Sequence, residues 1–126
     1  MTYDKEVNIR MTKAEQRKAL MELRDASKNP EFEKVGYFLY SKGDQYEKLG
    51  SWLKESGNLD VNYMEHMGES ENPNDFFADP DSLTFKECCT ALTFIFRSEH
   101  WSDGSFSGYL KDGTVYKLLS RAVETM

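Results

Sequence analysis

The sequence predicts an all-α fold, a compact bundle of five to six short helices in a single domain. Three observations carry this reading. Apolar residues recur at helical spacing in segment after segment. Two capping boxes, Thr12-Lys13-Ala14-Glu15 and Thr84-Phe85-Lys86-Glu87, open two of those segments. The breaks between segments hold Gly, Pro, Asn and Asp, and no two runs read as a convincing strand pair. A chain of 126 residues is one domain by length.

Residues 1–11 are polar and mixed and are expected to form a loose N-terminal arm. From Thr12 to about Ser27, the residues Ala19, Leu20, Leu23 and Ala26 mark one helical face, with Lys13, Arg17, Arg24 and Lys28 opposite. Asn29-Pro30 then reads as a helix opening. Phe32, Val35, Phe38 and Leu39 fall on one face, so a second helix is expected up to about Ser41. Asp44 opens a third, with Tyr46, Leu49, Trp52 and Leu53 in register and Gly57 as its stop. The short break between these two predicts an antiparallel helical hairpin. Asn58 to Met67 fits both periods over too short a run, and a short helix is favoured because a lone strand would have no partner.

Residues 68–81 form an acidic loop with five carboxylates, two prolines and the pair Phe76-Phe77. Those rings either pin the loop to the core or face a partner. The longest apolar-periodic segment follows, Thr84 to Trp101, with Leu83 and Cys88 at the positions of a hydrophobic staple. Its broad apolar face, Phe85, Cys88, Cys89, Leu92, Ile95 and Phe96, suits a central helix packed on several others. Ser102-Asp103-Gly104 is a turn, a short helix with Phe106, Tyr109 and Leu110 follows, and a last helix opens at Thr114.

Charge excludes some classes. Net charge is -6, and residues 57–81 carry seven Asp/Glu and no Lys or Arg, which argues against nucleic acid as a partner. No apolar run approaches the roughly 18 residues of a membrane span. The opening MTYDKEVNIRMTK has no apolar stretch behind its charges, so no secretory signal is expected. Cys88 and Cys89 are adjacent on a helix and cannot meet in a relaxed disulfide, so two reduced thiols and a cytoplasmic location are expected. Their spacing forms no metal clamp with His66 or His100, and apolar flanks make thiols inert. No phosphate loop, dinucleotide fingerprint or nucleophile elbow is present. No metal, cofactor or catalytic set is therefore assigned, and the oligomeric state stays open.

One cluster remains. Arg97, Glu99, His100 and Asp103 lie within seven residues at a helix end, beside Trp101. An acid, a base and a cation there suit binding or proton transfer, while a cation at a helix C-terminus and an Asp in a turn also serve structure alone. The candidate binding residues are Arg97, Glu99, His100, Trp101 and Asp103, with Phe76 and Phe77 of the acidic loop. The expected function is a protein-interaction or accessory role. One alternative is a small hydrolase or transferase using His100 with Glu99 or Asp103. Another is an acidic mimic that occupies a partner's nucleic-acid site.

The segment FRSEHWSDGSFSGYLKDGTVYKLLSRAVE, Phe96 to Glu124, resembles a bacterial family of unknown function, DUF6508. The resemblance rests on Arg97, the Glu99-His100-Trp101 stretch, Gly104, Gly113, Leu118 and Arg121, and extends more loosely back to Phe77. His100-Trp101 stands where the family pattern has an Arg-Phe pair, so no role for a second guanidinium carries over. The resemblance implies a small intracellular bacterial or phage protein and implies no reaction.

Overall fold

The central element of the computed structural model, which describes residues 11–68 and 72–126, is the helix predicted at Thr84–Trp101. Six α-helices occur among the described residues: α1 Lys13–Ala26, α2 Gln45–Glu55, α3 Tyr63–Met67, α4 Phe85–Trp101, α5 Ser105–Lys111 and α6 Thr114–Thr125. Two short 3-10 turns, Pro73–Phe77 and Pro80–Ser82, precede α4. The fold is mostly α, with one small antiparallel sheet of β1 Phe32–Val35 and β2 Phe38–Ser41. The predicted arm over residues 1–11 lies outside the described residues except for Met11, as do residues 69–71 of the acidic loop.

Both capping boxes form. Thr12 Oγ1 accepts from Glu15 N–H at 3.1 Å, and Glu15 Oε1 accepts from Thr12 N–H at 2.9 Å. Thr84 and Glu87 repeat the pair at 3.1 and 2.9 Å. Each box satisfies two backbone donors that a helix start leaves open. Leu83 and Cys88 are both buried, as a hydrophobic staple requires. Along α4, Cys88 through Thr93 and Ile95 are buried, and α2, α3, α5 and α6 pack around it.

The predicted helix over residues 30–41 is instead a β-hairpin, and the helical hairpin it implied does not form. Phe32 pairs with Ser41, Glu33 with Tyr40, Lys34 with Leu39 and Val35 with Phe38. Gly36 and Tyr37 make the two-residue loop, and Gly36 has φ +63°. A glycine first in such a loop is what a type II′ turn needs. Glycine within a helix would cost about 1 kcal/mol relative to Ala. The Val, Phe and Tyr around it favour a pleated surface. The helical spacing of Phe32, Val35, Phe38 and Leu39 was coincidence in a short run.

Without a second helix to pair with, α2 packs on α1 and α4. Trp52 Nε1–H donates to Gln16 O at 3.0 Å and ties α2 to α1. Gly50 lets α2 approach α4 closely, because a Cβ there would overlap the Phe96 ring. The C-terminal part of the last helix is held by two arginines. Arg17 Nη1 donates to Val123 O at 2.8 Å, and Arg121 Nε donates to Leu83 O at 2.9 Å.

Candidate functional site

The α4–α5 turn gathers most of the sequence-predicted site, but not as an acid–base cluster. Glu99 is a structural cap. Its Oε2 accepts from Gly104 N–H at 2.8 Å and its Oε1 from Phe106 N–H at 3.0 Å. These are backbone donors at the start of α5, so the carboxylate of one helix closes the next. Gly104 supplies the left-handed turn between them, with φ +86°. Arg97, His100, Trp101 and Asp103 are exposed around the same turn. The His100 side chain makes no hydrogen bond among the described residues, and its ring stands edge-on to Trp101 at 5.0 Å.

Trp101 is 77% exposed. It has company that the helical reading of residues 30–41 concealed. At the hairpin tip, Val35, Tyr37 and Phe38 are 55%, 98% and 50% exposed. The hairpin lies along α5, with Ser41 N–H donating to Ser107 Oγ at 3.0 Å. Its tip reaches the turn, since a Cβ on Gly104 would sit 3.7 Å from the Phe38 ring and from Leu39 O. The exposed Phe38 ring of the hairpin and the tail of α4 therefore meet at one turn.

The acidic-loop half of the predicted site is placed differently. Phe77 is buried, with its ring 6.0 Å from Phe94 and 5.8 Å from Tyr109. Phe76 is half-buried and packs on the same core. Tyr109 O–H donates to Asn74 Oδ1 at 2.7 Å and ties the loop down further. These rings fasten the loop and are not displayed.

A cleft of about 250 Å³ opens where β2, the start of α2, the tail of α4 and α5 meet. Tyr40, Tyr46, Glu47, Glu99 and Ser107 contribute its polar groups. Tyr46 stacks on Phe96 at 4.8 Å and stands edge-on to Phe106 at 5.4 Å. Burial pushes the Tyr46 phenol up, the charges of Glu99 and Glu47 push it further, and Arg97 offsets part of that.

A second polar node joins α3 to α4. Asp60 Oδ2 accepts from Thr90 Oγ1 at 2.6 Å and lies 2.7 Å from His66 Nδ1, while Asp60 Oδ1 accepts from Asn62 N–H at 3.0 Å. Asp60 N–H donates to Thr93 Oγ1 at 3.1 Å. Burial raises the Asp60 carboxyl, but the hydrogen bonds from Thr90, His66 and Asn62 and the His66 charge outweigh it, and the net shift is down. The node latches a short helix onto the central one. Neither buried thiol offers it a nucleophile, because burial above all pushes Cys88 and Cys89 up to about 12.

The sequence reading missed Tyr37 and Phe38 because it placed them on a helix. It missed the cleft because its residues come from four elements with no local pattern. Among the described residues no three of His, Cys, Asp or Glu converge as a metal-ligand set, and no helix is long and apolar enough to cross a membrane.

The model of a family of unknown function, DUF6508, matches residues 8–126. The chain belongs to this family. The match spans essentially the whole chain, where the sequence motifs had pointed only to the last two-fifths. Family membership therefore covers the hairpin and α1 as well as the α4–α6 region. No curated protein and no solved structure matches the chain.

Proposed function

We propose that this protein acts by binding another protein through the surface formed by the hairpin tip and the α4–α5 turn. One observation carries the reading. Of the large apolar side chains exposed among the described residues, Phe38 lies against the Gly104 turn, Val35 and Tyr37 are its neighbours in the hairpin, and Trp101 ends the helix that enters the same turn. Scattered exposed apolar residues are ordinary, whereas clustered ones with aromatic character mark interaction surfaces. Arg97, His100 and Asp103 provide the polar rim such a surface needs.

The alternatives draw less support. A hydrolase built on His100 needs a carboxylate bonded to its ring, and among the described residues the His100 side chain has no hydrogen-bond partner, while Glu99 caps α5. A nucleic-acid mimic needs its carboxylates aligned outward, and Asp60 turns inward to Thr90. The reading is an accessory role in the cytoplasm of a bacterium or of its phage-infected host, where two unpaired buried thiols are at home.

Photo-crosslinking residues placed at Tyr37 and at Trp101, with Lys18 on α1 as control, test the surface in a lysate of the producing cell. A discrete adduct common to positions 37 and 101 and absent at 18 is expected. No adduct, or the same adducts at all three positions, overturns the reading.

A further inference from the structure

The cleft beside this surface has a chemistry of its own. Glu47 and Glu99 are both negative, and the cleft's lining contains no Lys, Arg or His. Arg97, whose charge reaches the Tyr46 phenol, is exposed, lies outside the lining and forms no ion pair among the described residues. Burial raises the Tyr46 phenol most, Glu99 and Glu47 add to that, and Arg97 offsets part of it. Acceptors stand ready in the cleft. The Tyr40 and Tyr46 hydroxyls make no hydrogen bond among the described residues. Glu99 uses one bond per oxygen on the α5 cap, which fixes its carboxylate and leaves further lone pairs.

The walls are aromatic. Tyr40, Tyr46 and Phe106 line the cleft, and behind Tyr46 the Phe96 ring, outside the lining, receives one cation, with Lys54 Nζ 5.5 Å from its centroid. The volume of about 250 Å³ falls below the roughly 300–1,000 Å³ of a small-molecule pocket and suits a single side chain. Tyr40 also links the cleft to the exposed patch, its ring 6.3 Å from Phe38.

We infer that the cleft receives an arginine side chain of the partner protein. A planar guanidinium matches the site better than an ammonium, because it can stack on a tyrosine face while its N–H groups reach a carboxylate. The inference deepens the protein-binding reading and rests on it for the partner, while the cleft's preference for a guanidinium can be tested without any partner.

The probe is N-acetyl-arginine methylamide, titrated into the full chain and followed by backbone and tyrosine NMR shifts. Its citrulline counterpart is the uncharged isostere. Saturating shifts at Gly43, Tyr46 and Ser107 are expected with the arginine probe and not with the citrulline one. Glu47→Gln, a surface change on α2, is expected to weaken binding about threefold to fivefold. Absence of saturating shifts at those residues, equal binding of citrulline, or full affinity in Glu47→Gln overturns the inference. If crosslinking at Tyr37 and Trp101 succeeds while this titration fails, only the cleft's role falls. If the titration succeeds without a crosslinked partner, the protein-binding reading falls instead.

Discussion

Phe106 N–H donates to Glu99 Oε1 at 3.0 Å, so the most suggestive carboxylate in the sequence ties the end of α4 to the start of α5. With Gly104 N–H at 2.8 Å on the other oxygen, Glu99 sets the position of the whole turn that carries Trp101. Glu99→Ala should cost about 1–2 kcal/mol, the range for a lost helix cap. Thermal unfolding should show a fall of roughly 3–8 °C for a chain of this size. An unchanged midpoint would mean that water replaces the cap at no cost.

Gly50 tests the packing of α2 on α4. On an exposed helix face Gly→Ala stabilises by about 1 kcal/mol. At Gly50 the new Cβ meets the Phe96 ring, so Gly50→Ala should destabilise by about 1–3 kcal/mol as an overpacked site does. The sign of the change in urea midpoint decides between the two.

Asp60 gives a pH dependence with a definite sign. Its folded carboxyl titrates below the ordinary range, so it adds stability above the unfolded value that is lost as pH falls through the folded one. The loss therefore begins near the ordinary carboxylate value of about 3.9 and continues below it. In Asp60→Asn the urea midpoint should fall less steeply over this acid window than in the parent chain. Identical slopes would show that Asp60 is no better held folded than unfolded.

The helices that were legible in the sequence were those with strong local signals. Thr12 and Thr84 announced α1 and α4 through capping boxes, and Leu118, Leu119, Ala122 and Val123 kept helical register in α6. The hairpin was not legible by period, since Phe32, Val35 and Phe38 satisfy helical spacing over a run too short to exclude a strand. Gly36 in the middle of that run was the available signal. That error also hid half of the surface, because a helix would have turned Phe38 toward the core. In the cluster at residues 97–103 composition located the right turn but not the roles. A carboxylate that caps α5 and one that binds a ligand look alike until Gly104 and Phe106 are in place.

The central claim is that Tyr37 and Trp101 belong to one binding surface. Its most direct test is the affinity of the crosslinked partner for a Tyr37→Ser/Trp101→Ser double variant of unchanged melting temperature. Aromatic anchors of this kind cost about 2 kcal/mol or more on truncation, so binding should weaken by roughly 30-fold or more. Parental affinity in that variant would contradict the account.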